Sequence, residues 1–213
     1  MKWTRKHLLW SAVEWETVIW SDECCFELGK ESRQIRVWRP IGSNRFKAEY
    51  LSPTFRSGRI SVHVWACFIG GQAGPLCVLP QHMNGDAYTQ VLTTHLMPFV
   101  EELKSSGKQV IFQQDNAPCH TAKRVKEWMQ SQNLSVLDWP ANSPDLNPIE
   151  NIWQRLKHNV SSNRAQVNNR EDLEKIILEA WRALSPELLR KHVASMHRRV
   201  QRVWHSRGNH SKY

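Results

Sequence analysis

The sequence predicts a mixed α/β fold, with one mixed β-sheet flanked by helices. Strand-like runs come first and close together, near residues 17–28, 34–38, 59–69 and 75–79. Helical and strand patterns then alternate from residue 86 onward, as parallel crossovers require. The chain has 213 residues, 40% of them hydrophobic, which suits one large domain with a real core.

The elements follow in order. Residues 1–16 set Trp3, Leu8, Leu9, Trp10 and Val13 among charges, at spacings that fit a helix and a turn. Thr17 to Leu28 (TVIWSDECCFEL) is β-branched and aromatic, and its apolar run before Asp22 suits a central strand. Gln34 to Trp38 is a second strand, with Gly29 in a hairpin connection. Arg39 to Gly58 is basic and unpatterned, an extended loop of a length that is usually functional or disordered. Arg59 to Ile69 alternates as a strand, and Gly70-Gly71 turns it into another at Pro75 to Leu79. Tyr88, Val91, Leu92, His95, Leu96 and Phe99 predict one helix over 86–103, capped by Asp86, with Pro98 as a kink.

Gln109 to Gln114 is a strand that ends at Asp115. Asn116-Ala117-Pro118 starts a helix that buries Val125, Trp128 and Met129. Leu134 to Trp139 is a further strand, and Pro140 to Pro148 a rigid loop. Asn147-Pro148 opens the next helix, with the Asn as cap and apolar residues from Ile149 to Val160 on one stripe. After a polar linker at 161–170, two amphipathic helices follow near 171–184 and 186–206.

Composition narrows the partners. The net charge is +9 and the pI about 9.6, a balance that suits a polyanion, nucleic acid before membrane surface. The five Cys are odd in number and form no C-x-x-C pair, which argues against a disulfide framework and a zinc module. No apolar run approaches the roughly 18 residues of a bilayer span, and Met1–Trp10 lacks a signal-peptide core. A soluble, non-secreted protein with no membrane partner is expected.

The chemistry-bearing residues are acids. Phosphodiester cleavage without a protein nucleophile needs an activated water and neutralised charge at phosphorus, which two divalent ions on carboxylates supply. Asp22 lies in the first strand, Asp115 at a later strand end, and Glu150 at a helix start, with residues 116–149 between the last two. Each also has a structural reading. Asp22 suits a solvated strand end, Asp115-Asn116 a capped turn, and Glu150 the last position of a capping box begun by Asn147. Spacing alone leaves both readings open. Glu23, Asp138 and Asp145 are set aside as flanking acids.

QQDNAPCHTAKRVKEW (113–128) and WPANSPDLNPIENIW (139–153) resemble the two signature blocks of the Tc/mariner transposase superfamily. VIWSDECCF resembles that family's first catalytic block and SVHVWACF its third strand, so the resemblance covers nearly the whole chain. It implies a ribonuclease-H-like fold with a five-stranded mixed sheet, and one catalytic domain over 1–213. It implies that Asp22, Asp115 and Glu150 are the catalytic, metal-binding triad, with the spacing of the Tc-like branch. Two Mg²⁺ or Mn²⁺ ions are the implied cofactors. The implied reaction is cleavage at transposon ends and direct transfer of the freed 3′-hydroxyl into target DNA at TA. Double-stranded DNA is the implied partner. Synapsis of two ends implies a homodimer, and the nucleus is the implied location. His120, Lys123 and Arg124 are candidate DNA contacts, as are Arg45 and Lys47 in the loop and Arg155 and Lys157 on the helix of Glu150.

The match departs in two places. Cys24-Cys25 replace the Ser and variable residue usual after the Asp-Glu pair. The helix-turn-helix region that precedes this domain in the family is expected to be absent, which makes the chain a catalytic fragment or a shortened reading frame. Weak, salt-dependent phosphate binding is then expected. A non-catalytic DNA-binding derivative and another ribonuclease-H-like nuclease or integrase are the competing functions.

Overall fold

The computed structural model describes residues 1–28 and 60–207. The β-rich first half forms β1 (Val18–Leu28), β2 (Ile60–Ile69) and β3 (Gln72–Val78), and β4 (Ile111–Gln113) completes the sheet. The strand order is β3-β2-β1-β4. β1 pairs antiparallel with β2 and parallel with β4, so it lies inside the sheet as its apolar run predicts. Its alternation divides the core. Trp20, Cys24 and Phe26 face one hydrophobic cluster, while Ile19 faces another. Asp22 therefore points to the first face and Glu23 to the second.

The sheet has four strands among the described residues, not the five implied. The segment at 134–139 reaches β4 through a single parallel bridge, Phe112 with Val136. Phe112 N–H donates to the Ser135 carbonyl at 2.7 Å, and Leu137 N–H to the Phe112 carbonyl at 2.8 Å. Asn133, at φ 49°, turns the chain just before it, and Pro140 follows with no N–H to extend a ladder. The expected strand at 34–38 and the loop with Arg45 and Lys47 lie outside the described residues. Pro75 is tolerated within β3 because β3 is an edge and is bulged, with Ala66 and Phe68 of β2 opposite Leu76 and Ala73.

Two short helices, α1 (Lys2–His7) and α2 (Ala12–Glu16), lead into β1. The helix expected over 86–103 is interrupted. It runs as α3 (Gly85–Val91), a π-turn (Leu92–Leu96) and α4 (Met97–Ser105). Pro98 offers no N–H to the preceding turn, and the widened turn absorbs the mismatch. Asn84, not Asp86, is the cap, its Oδ1 accepting from Ala87 N–H at 2.9 Å. After β4 come the single turn α5 (Pro118–Thr121) and α6 (Lys123–Ser131).

α7 (Ile149–Ser162) and α8 (Arg170–Arg182) follow. The helix expected over 186–206 is two, α9 (Pro186–Ala194) and α10 (Met196–His205). They part at Ser195, whose hydroxyl donates to the His192 carbonyl at 2.6 Å and competes for the helix ladder. α7 to α10 cover the Trp20 face of the sheet, and α3, α4 and α6 cover the Ile19 face. Each large buried side chain contributes roughly 1.5–3 kcal/mol. Surface ion pairs contribute about 0–1 kcal/mol. The two apolar layers therefore dominate the stability of the fold.

Candidate active site

The strand register brings two acids together. Trp20 of β1 pairs with Gln113 of β4, so two residues further along each chain come Asp22 and Asp115. The ladder ends at this point. Ser21 N–H donates to the Gln113 side-chain oxygen at 3.2 Å, and Ser21 Oγ–H to the Gln113 carbonyl at 2.7 Å. Glu150 comes from the first turn of α7. Asn147 ties that turn to β1, donating from Nδ2 to the Ser21 carbonyl at 3.1 Å. Asp22, Asp115 and Glu150 line one cleft of about 470 Å³, with Trp139 to Pro144 as its far wall. Asn116 Nδ2 joins the Asp115 loop to that wall, donating to the Trp139 carbonyl at 2.9 Å.

The structural readings of the acids now divide. Glu150 makes no capping box, because the start of α7 has no side-chain cap and Pro148, not Asn147, holds the cap position. Asp115 does shape its turn. Its Oδ1 accepts from Ala117 N–H at 2.9 Å and from His120 Nδ1–H at 2.6 Å. Both bonds fall on one oxygen, so the second stays available to a ligand. Asp22 is half-buried rather than solvated, and its Oδ2 accepts from the Trp153 indole N–H at 3.1 Å.

Their environments push the three carboxyls apart. Burial, and the charges of Glu23 and Glu150, push Asp22 up to about 8. Burial also raises Glu150, with Lys157 opposing. The hydrogen bond from His120 lowers Asp115, against the effect of burial. Burial works against a charged His120, yet Asp115 and Glu23 together hold it protonated up to about 10.

Among the described residues no three such donors already converge into a metal cage. The residues nonetheless fit a hard divalent cation. All three donors are carboxylate oxygens on one cleft, and Asp22 and Glu150 repel each other in a way that a cation would relieve. An open arrangement suits Mg²⁺, which keeps several waters and shares ligands with phosphate.

A model of the DDE superfamily endonuclease family matches residues 17–174. The chain is 37% identical over 211 residues to the transposable element Tc1 transposase of Caenorhabditis elegans, covering 99% of this chain and 76% of that protein. The chain belongs to the Tc1/mariner transposases of the DDE superfamily. Its fold matches the Mos1 transposase catalytic domain, solved with raltegravir and Mg, at a TM-score of 0.74 and 18% identity. That match covers 99% of this chain and 94% of the other. A Mos1 paired-end complex with the left transposon end matches at 0.72 and 20%, covering 99% and 62%.

In this transposase catalytic domain the expected DNA contacts scatter. Lys123 and Arg124 sit on the surface, Lys123 facing Glu127 and Arg124 paired with Asp86. Arg155 and Lys157 are exposed on α7, and Lys157 acts on both Glu150 and the Cys24 thiol. His120 does not face solvent. It is 2% exposed, packed against Tyr88 with ring centroids 4.0 Å apart and planes tilted by 31°, and its ring turns to Asp115 and, at 3.3 Å, Glu23. Five residues past Asp115 across one tight turn, the ring folds back inward instead of outward. It therefore orients Asp115.

Glu23, set aside on sequence grounds, belongs to this arrangement. The signal was the alternation of β1, which sends Glu23 to the face opposite Asp22. The sequence places Trp153 on an apolar stripe and Asn147 at a cap, and neither pattern signals their bonds to Asp22 and to β1. Asp138 and Asp145 stay in structural roles, their backbone carbonyls accepting from Trp3 and Arg199.

Proposed function

We propose that Asp22, Asp115 and Glu150 together bind two divalent ions, Mg²⁺ or Mn²⁺, and that this domain cuts transposon-end DNA and joins it to a TA target. The observation that carries the proposal is the meeting of three acids, from β1, the end of β4 and the start of α7, at one cleft. The family membership of the chain and the Mg bound in the Mos1 structure support it.

Bound there, the ions would supply Lewis acidity, acidifying a water or hydroxyl and neutralising charge on the reacting phosphate. The protein prepares the ligands. Trp153 orients Asp22 through its indole N–H, and His120 holds Asp115 by one oxygen. Asn147 fixes the start of α7 against β1. Water attacks the phosphodiester at the element's end, breaking the P–O bond and freeing a 3′-hydroxyl. That hydroxyl then forms a new P–O bond in the target as the target's own P–O bond breaks. The positive net charge of the chain favours the DNA partner. The need to hold two ends together supports a homodimer, and action on chromosomal DNA supports a nuclear location.

The test uses the purified chain, its element's precut ends, a TA-containing plasmid and Mn²⁺ or Mg²⁺. Joined product should fall by about 100-fold or more in Asp115→Asn, with DNA binding retained. Equal product from both proteins sinks the assignment, and DNA binding without product in the wild type supports the non-catalytic derivative.

A further inference from the structure

Arg199 of α10 is 2% exposed, a costly place for a guanidinium unless its N–H groups are met. They are met largely by the segment that carries Glu150. Nη1 donates to the Asp145 carbonyl at 2.7 Å, and Nη2 donates to Asn151 Oδ1. Nε donates to Ser195 Oγ at 2.8 Å, within its own helix pair. Asp145 lies in the 3₁₀ turn Pro144–Leu146, just before Asn147. Asn151 lies in the first turn of α7, beside Glu150. One rigid fork therefore spans the whole entry to α7. From the other side, Asn147 fastens the same entry to β1. Pro148 at the cap position offers no side-chain bond, and Asn147 Oδ1 accepts from Ile149 N–H only at 3.4 Å, so these two attachments add to the burial of Ile149 in holding the start of α7.

We infer that Arg199 is a positioning residue, fixing Glu150 relative to Asp22 and making the distant helix α10 part of the framework of the reaction centre. The metal readout of this role rests on the proposal that Glu150 is a ligand. The structural readout does not.

Arg199→Met keeps the aliphatic stem and removes the donors. Amide hydrogen exchange of the metal-free chain is read first. Peptides over 144–152 should exchange about 10-fold faster or more, while those over 60–69 in β2 stay unchanged. Mn²⁺ affinity, by calorimetry, should then fall about 10–100-fold, with affinity for duplex DNA held within about twofold. Unchanged exchange at 144–152, or equal acceleration in every peptide, overturns the inference. If Arg199→Met does not fold, Asn151→Ala removes one acceptor without altering α10, and the same two outcomes decide. If the wild type fails to bind Mn²⁺, the metal proposal fails, and the exchange result still decides for Arg199.

Discussion

Behind Trp139, the rings of Trp3, His7, Trp10, Trp15 and Trp20 pack at centroid distances of 4.2 to 6.3 Å. In front of it, Asp22, Asp115 and Glu150 line a cleft that the same Trp139 walls. Burial acts with opposite sign in the two regions. It stabilises the rings, because apolar surface leaves water. It penalises Asp22 and Glu150, because charge leaves water too. The comparison teaches that one region supplies stability and the other costs it, at the cleft proposed to bind divalent cations.

The largest effect should come from the aromatic side. Trp15 is 1% exposed, and Trp15→Ala should cost about 3–5 kcal/mol by loss of transfer energy plus a cavity. Thermal melts should show a fall on the order of 10 °C. A loss as small as that of a surface substitution would break the comparison.

How far each region is legible in the sequence follows from the same contrast. The places of the acids are legible from local signals, a β-branched run for Asp22, a strand end for Asp115 and an Asn-Pro start for Glu150, while their grouping as a triad comes from the family resemblance, since spacing alone leaves both readings open. Their supports are not legible, because they act over long sequence separations. Arg199 reaches Asp145 and Asn151, and Trp153 reaches Asp22, through packing that no local pattern encodes. The break at Ser195 and the π-turn at Leu92–Leu96 leave the hydrophobic period nearly intact, so periodicity alone reads through both. The strand expected at 134–139 has the right composition, yet Asn133 and Pro140 shorten it to one bridge.

A smaller effect should come from His7, which is buried among the rings and donates from Nδ1–H to the Trp3 carbonyl at 2.8 Å. Burial lowers its pKa below the usual 6.5. The unfolded chain therefore takes up this proton first as pH falls. The stability His7 contributes is present above 6.5 and is lost as pH drops through the lower folded value. His192 is lowered in the same direction, so the two add. Asp22 and His120, both raised, add stability over the same range as pH falls, so the difference between the two chains is what decides: from pH 7.5 to 5.5 the wild type should lose about 2–4 °C relative to His7→Phe. An unchanged difference would remove His7 from the account.

The smallest effect should come from the surface. Lys123 is 91% exposed at its side chain. Lys123→Ala should move the melting temperature by no more than about 2 °C, and should weaken DNA binding mainly at low salt.

Burial penalises the charged forms of Asp22 and Glu150 in the cleft, and the proposed divalent ions would offset that penalty. Asp22 carries the clearest mark, raised from 3.8 to about 8. The folded chain thus holds that proton more tightly than the unfolded chain, so the associated stability is present below 3.8 and is lost as pH rises through about 8. Melts of wild type and Asp22→Asn at pH 8, with and without Mn²⁺, test this most directly. Without metal the variant should melt higher, by about 2–4 °C. With Mn²⁺ the wild type should rise and the variant should not, reversing or erasing the gap. A variant that melts lower without metal, or that gains as much from Mn²⁺ as the wild type, would contradict the account.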